Sequence, residues 1–325
     1  MFLEAPTEKL QFVADCVLRL SDYYISRPDA ETPWNEKFCQ VAYRHYFLPL
    51  NFIRNQKVIQ RGLDVGFFNG LTNFIDWGCG PATASLALAH TEGLNSQIRQ
   101  QILFDHSPTV LRVFSDLHEK LTKPQPLTQI NLNTTAHSAS SCLVFSYSLT
   151  ELDELPTGWN QHEALMILEP STTQDGRRLM EWRKQLLKNG YHIWAPCTHH
   201  DDCPLLIHSQ NDWCHDRAHV DPPEWFLQLE QLLPMKNRTV TVSYILARKT
   251  PPAAELKSKA RLTGDSLEQK GKTRQLVCRN SQREFLTWMH RTLTPQTLSR
   301  GELVDLPEDL EIKSNELRLK AALSI

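Results

Sequence analysis

Residues 74–83 read Phe74-Ile75-Asp76-Trp77-Gly78-Cys79-Gly80-Pro81-Ala82-Thr83. A short apolar run enters a glycine turn and leaves into an Ala-rich stretch, Ala82–Ala89, so the residues predict strand, turn and helix. Gly78 and Gly80 permit the tight turn and let a ligand approach the backbone. A dinucleotide fingerprint needs Gly or Ala three residues after the second glycine; Thr83 stands there, which argues against NAD or FAD. Outward from this turn, apolar runs alternate with helical ones. Strands are predicted at Asn73–Trp77, Gln101–Asp105, Ser141–Ser146, Ala164–Leu168, Tyr191–Ala195 and Thr239–Ala247, and helices at Ala82–Ala89, Pro108–Leu121, Arg177–Lys188 and Pro223–Leu233. That alternation predicts an α/β protein with a mostly parallel, doubly wound sheet. Ligands of such sheets bind beyond the carboxyl ends of the strands. Asp105 ends one run there, with a carboxylate able to accept two hydrogen bonds from a ribose diol; its plainer reading is a turn residue or cap before Pro108. Ser146 and Tyr147 end another.

The chain has 325 residues, 41% hydrophobic and 22% charged. This composition supports a sizeable core and excludes a largely disordered or collagen-like chain. No run of 18 apolar residues occurs, so no membrane-spanning helix and no membrane partner are expected. Early acids in Met1-Phe-Leu-Glu-Ala-Pro-Thr-Glu-Lys fit neither a signal nor a transit peptide, and the expected location is cytoplasmic. The predicted organisation is a helical region over 1–70, a core over 71–249 with a cysteine-rich insertion at 196–222, and a basic linker and small extension over 250–325. Leu10, Val13, Val17 and Leu18 give the first region its helical spacing. Lys249–Lys272 reads as linker, and Gln275–Val277 and Glu302–Leu306 as short strands. Arg248–Arg300 holds 12 basic and 4 acidic residues, against 35 and 37 in the whole chain. A basic segment on an acidic body points either to a polyanion such as RNA or to a solvated linker. Lys257, Lys259 and Arg261 are the expected contacts with RNA; DNA is not expected.

Eight cysteines stand at 16, 39, 79, 142, 197, 203, 214 and 278. Without a secretory layout a disulfide framework is not expected. Cys197, Cys203 and Cys214 follow a C-x5-C-x10-C spacing, unlike the C-x2–4-C pairs of zinc fingers. Such a cluster reads as metal chemistry, zinc or iron–sulfur, with buried structural thiols as the alternative. Cys278 is the best fourth ligand; His199, His200 and His215 are alternatives. Trp194, Trp213 and Trp225 read as core more readily than as base-stacking residues.

Two resemblances sharpen this reading. Asp76-x-Gly78-x-Gly80-x-Ala82 resembles the first motif of class I S-adenosylmethionine methyltransferases, with Ala82 in place of the usual third glycine. The resemblance implies cofactor contacts at Asp76, Gly78, Gly80 and Ala82, a ribose contact at Asp105 and a pocket contact at Ser146. No catalytic base is assigned, and methyl transfer by direct displacement needs little beyond alignment. Ala195-Pro196-Cys197, Cys203-Pro204-Leu205 and Asp212-Trp213-Cys214-His215, with Leu168-Glu169-Pro170-Ser171, resemble the methyltransferase-like family of the mitochondrial small ribosomal subunit and its bacterial relatives, over about residues 35–247. That resemblance implies a class I methyltransferase (Rossmann-like) fold and a role on the small ribosomal subunit or its rRNA during assembly. It also implies a 4Fe-4S cluster held by Cys197, Cys203, Cys214 and Cys278. A non-catalytic rRNA-binding assembly factor and a zinc-stapled small-molecule or protein methyltransferase are the alternatives.

Overall fold

The computed structural model describes residues 4–27, 30–121, 123–132, 138–253 and 259–323. It divides into two compact units, which are taken in turn. The first runs up to Arg61 and includes Phe68–Leu168 and Ala218–Val240; the second comprises Gly62–Phe67, Glu169–Arg217 and the chain from Thr241 onward.

In the first unit, the helix Leu10–Ser26 buries Val13, Ala14, Cys16, Val17 and Leu20 along one stripe, the signature of an amphipathic helix. Helices Lys37–Ala42 and Leu48–Asp64 follow, joined by a π-turn at Tyr43–Phe47. Five strands come next: β1 (Asn73–Trp77), β2 (Gln100–Phe104), β3 (Pro124–Leu127), β4 (Ser141–Ser146) and β5 (Ala164–Glu169). All pair in parallel, in the order β3-β2-β1-β4-β5. Ile75 lies between Ile102 and Leu143 in register. Every residue of β5, and all but the last of β1 and β4, is buried, as expected of strands covered on both faces. The strand order reverses between β1 and β4, and that switch point opens the crevice where ligands of doubly wound sheets bind.

The turn after β1 is tied to the sheet by a buried carboxylate. Asp76, 1% exposed, accepts hydrogen bonds from the Ser85 amide at 3.2 Å and the Ser85 hydroxyl at 2.8 Å. It thereby satisfies one of the first-turn N–H groups that the helix Thr83–Ala89 cannot satisfy itself. The helix expected over Pro108–Leu121 is instead two short pieces, Pro108–Val113 and Ser115–His118. The break is at Phe114, fully buried and edge-on to Trp34 at 5.9 Å. Packing of that ring wins over continuous helix.

The second unit contains β6 (His192–Ala195), β7 (Asp216–His219) and β8 (Thr239–Arg248), two of which overlap the unit boundaries. β6 pairs antiparallel with β8. The helix Thr173–Lys188 starts at a capping turn in which Thr172 Oγ1 accepts from the Asp175 amide at 3.1 Å. The C-terminal part is a six-stranded sheet of β9 (Ala260–Gln269), β10 (Lys272–Cys278), β11 (Glu284–Met289), β12 (Leu303–Val304), β13 (Glu311–Lys313) and β14 (Glu316–Arg318). Its order is β12-β9-β10-β11-β14-β13, with only β11–β14 parallel. Leu262, Val277, Leu286, Trp288 and Leu317 form its core.

The linker expected over Lys249–Lys272 is therefore corrected in its second half. Ala260–Gln269 is a ten-residue strand, turning into β10 through Lys270 and Gly271, with Gly271 at φ +77. Its first five residues are buried and its last five exposed, so the outer half is a polar hairpin arm held by ladder hydrogen bonds. Lys257 lies outside the described residues.

Trp288 has no exposed surface. Trp288→Ala should destabilise the C-terminal sheet by about 3–5 kcal/mol, read as a lower urea midpoint of the β-sheet circular dichroism; an unchanged midpoint would mean that this core does not carry the sheet. Asp76 gives a pH signature. Burial, the largest cause, pushes its carboxyl up from 3.8 to about 7, with the Ser85 bonds opposing and the Asp105 charge adding. The native state then holds this proton more tightly than the unfolded chain. The stabilising contribution is complete below 3.8 and is lost as pH rises toward about 7. Asp76→Asn should flatten that decline in a thermal-denaturation series, and an unaltered slope would place the proton elsewhere.

Candidate functional site

Gly78 and Gly80 lie at φ +66 and +50, and Ala82 at φ +62. The turn thus places three left-handed residues in five positions, and Ala82 adopts a conformation that costs an L-residue roughly 1–2 kcal/mol. A Cβ on Gly78 would stand 2.6 Å from Ser148 Cβ, so no side chain fits there without displacing the chain after β4. Asp105, 4% exposed, accepts from the Gly80 amide at 2.9 Å and from the Ser107 amide at 2.9 Å. One carboxylate therefore closes the turn after β1 onto the end of β2. A carboxylate has about four lone-pair sites, and two remain for a ligand.

Gly78, Gly80, Asp105 and Ser146 line one cavity, of about 630 Å³ including its open mouth. Asp76 and Ala82 do not: Asp76 is turned to Ser85, and Ala82 shapes the turn from behind. Ser146 is held by Asn55, whose Nδ2 donates to the Ser146 hydroxyl at 3.0 Å. Sequence reading missed the opposite wall, Trp34, Tyr43 and Asn51 from the N-terminal helical region. The rings of Trp34 and Tyr43 stand 4.6 Å apart; no motif marks them, because they are brought in by tertiary packing. It also missed the conformation of Tyr147, a non-glycine at φ +63 on the cavity wall. Strained residues of this kind persist where the surroundings over-determine them, often at ligand sites. The lining carries Asp105 and Glu151 but no Lys or Arg among the described residues. An adjoining surface cleft adds Glu31 and Asp153. This is a field that favours a cation.

The four cysteines singled out in the sequence, Cys197, Cys203, Cys214 and Cys278, line a second cavity, wholly within the second unit. None of the four is in a disulfide. Arg183 Nε donates to Cys197 Sγ at 3.2 Å, and the Arg261 guanidinium to Cys214 Sγ at 3.1 Å. His199 Nε2 stands 3.2 Å from Cys278 Sγ. β10 carries Cys278 directly opposite Arg261 in register. Burial, and then the neighbouring sulfurs, push the Cys203 thiol up to about 11; burial likewise raises Cys214 and Cys278. Four thiolates do not coexist there without a cation to offset them. Among the described residues no three Cys, His, Asp or Glu side chains form a group able to hold a metal ion. The donor set nevertheless fits a thiolate-bound group: four sulfurs line one cavity, and three of them meet an N–H donor or a ring nitrogen. Of the alternative ligands, only His199 reaches this cavity. His200 accepts from the Ile193 amide, and His215 is paired with Arg300.

The three tryptophans are packing residues. Arg248 covers the Trp194 ring at 5.2 Å, Trp213 lies against Gly176, and Trp225 stands edge-on to Phe226 at 5.5 Å. Arg261, expected to face RNA, is 3% exposed and ion-paired with Asp216, which corrects that expectation. Lys259 is paired with Asp305, Lys272 with Glu316, Arg279 with Glu284 and Arg283 with Asp212. The local excess of basic residues is offset mostly by acids from outside residues 248–300. No described helix is long and apolar enough to cross a membrane.

Among solved structures, a SAM-dependent methyltransferase of Leishmania major shows 8% identity and a TM-score of 0.39, over 74% of this chain and 87% of that one. Magnesium protoporphyrin IX methyltransferase of Synechocystis with bound SAM shows 12% identity and a TM-score of 0.35, over 76% and 100%. An rRNA methylase of Streptococcus thermophilus shows 10% and 0.31, over 59% and 94%. No curated protein matches the chain. A family model described as mitochondrial small ribosomal subunit Rsm22 matches residues 68–293, more than half of the sequence and including both cavities' signature residues. The chain belongs to the Rsm22 family.

Proposed function

We propose that this protein is an S-adenosylmethionine-binding, methyltransferase-like factor of the small ribosomal subunit. Its first cavity takes the cofactor, and its four cysteines hold a 4Fe-4S cluster. The observation that carries the cofactor reading is the closure of the Gly78–Gly80 turn onto Asp105 at the sheet's switch point. Open backbone lies on one side, a carboxylate with lone pairs for a ribose diol on the other, and Ser146 on the third. The carboxylates at the mouth suit the cationic sulfonium. Ribosomal association rests on the family, whose description names the small subunit.

A non-catalytic role on RNA is the second reading of the same cavity. A phosphate backbone approaching the methyl donor would meet Asp105, Glu151 and the neighbouring acids, with no lining Lys or Arg among the described residues to offset it. A radiolabelled methyl-transfer assay on small-subunit assembly intermediates separates the two roles: binding without incorporation supports the assembly factor, and incorporation into rRNA the enzyme. The cluster reading competes with zinc. A cluster supplies no assigned chemistry here; its ligation closes three loop cysteines and a strand end around one point, and that ligation free energy becomes folding free energy.

Gly78→Val should weaken cofactor binding roughly a hundredfold, about 2.7 kcal/mol, by calorimetric titration. Unaltered affinity would remove the turn from the cofactor site. Cys203→Ser should lose bound iron and sulfide from anaerobically purified protein and lower its melting temperature. Retained metal with an unchanged melting curve would exclude the four-cysteine site, and zinc in a colourless wild type would favour the zinc alternative.

A further inference from the structure

Four of the chain's sulfurs make two contrasting kinds of contact. Cys79 Sγ donates to the Gly80 carbonyl at 3.6 Å and Cys142 Sγ to the Leu143 carbonyl at 4.0 Å, as thiols do. Cys197 and Cys214 instead accept N–H bonds from buried guanidiniums. A neutral thiol is a weak acceptor, so these partners are built for sulfur that carries negative charge.

The two guanidiniums are themselves over-determined. Arg183 is 4% exposed and also donates to the His199 carbonyl at 2.7 Å, within the loop that carries Cys197. Arg261 is 3% exposed and ion-paired with Asp216, whose other oxygen accepts from the Tyr244 hydroxyl at 3.0 Å. The Arg261 Nε–H has no partner among the described residues, although it is buried in a side chain that lines the sulfur cavity. Two permanent cations stand against one carboxylate, so the protein around the cavity holds an uncompensated positive charge. A buried cation without its anion is strongly unfavourable; a thiolate-bound cluster, anionic overall, supplies that anion.

We propose that Arg183 and Arg261 are the positioning residues of the cysteine site: they hold two of its sulfurs through N–H···S bonds and set the reduction potential of the bound cluster. This rests on the reading of the four cysteines as cluster ligands. One-electron reduction, with the electron supplied by the reductant of a titration, adds one negative charge to the site and transfers no proton. Guanidiniums bonded to the ligand sulfurs stabilise that added charge, which raises the potential. Removing one lowers it, without removing any ligand.

The test is a dithionite titration of anaerobically purified full-length protein, read by electron paramagnetic resonance, with iron and sulfide analysis alongside. Arg183→Met should retain the iron and sulfide content of the wild type but shift its midpoint to a more negative potential. Arg183→Lys, which keeps the charge, should recover part of the shift. Arg261→Lys should lower the midpoint through loss of the forked geometry, and it keeps the measurement possible if Arg183→Met fails to fold. Loaded variants with the wild-type midpoint would overturn the proposal while leaving the cluster in place. A wild type holding zinc and no sulfide would overturn the cluster reading and this inference together.

Discussion

The hydrogen bond from the Gly80 amide to the Asp105 carboxylate is the constraint on which the first unit's site depends. It is short, 2.9 Å, and lies out of water. A buried carboxylate left with unmade bonds costs several kcal/mol, so Asp105 fixes where the turn must lie. The turn in turn requires left-handed backbone at Gly78, Gly80 and Ala82, and the Gly78 backbone sits where Ser148 leaves no room for a Cβ. Asp76 anchors the other end, tying β1 to the helix start through Ser85. The two acids divide the labour. One is structural and faces the core; the other closes the turn and still faces the cavity.

The second unit is organised around sulfur in a similar way. Its cysteines come from three places: Cys197 and Cys203 in the loop after β6, Cys214 just before β7, and Cys278 at the end of β10. What the chain itself contributes is a set of donors. Arg261 sits on β9, opposite Cys278, and reaches both Cys214 and Asp216. A strand that looks like linker in the sequence thus carries the charge that the sulfur cavity needs. Gly264, on the same strand, is a close approach: a Cβ there would lie 2.8 Å from Leu276 Cβ.

What was legible in the sequence, and what was not, follows from how local each signal is. β1 and β4 were readable to the residue, because buried parallel strands are nearly continuous apolar runs. That Gly78, Gly80, Asp105 and Ser146 lie together at the strand ends was readable because a glycine turn and strand ends are local features. β3, Pro124–Leu127, was not: it contains two prolines and is not buried, so it reads as loop. β9 escaped because five of its ten residues face solvent. Trp34 and Tyr43 escaped because nothing local ties a residue before the first strand to a turn some forty positions later. Arg261 was counted as surface charge because composition records the cation and not the Asp216 that meets it.

That last case governs how the chain can meet RNA. A segment holding 12 basic and 4 acidic residues looks like a phosphate-binding face only while its partners are unknown. Once Asp212, Asp216, Asp305 and Glu316 are placed, much of the positive charge is already offset, and screening at physiological ionic strength removes what reaches beyond about 8 Å. Contact of this segment with a polyanion would then depend on short-range shape and hydrogen bonding more than on a long-range field. The cofactor cavity points the same way. A cationic methyl donor would be drawn to Asp105 and Glu151, and a phosphate backbone would be repelled by them. Among the described residues, this lining carries the two acids and no Lys or Arg.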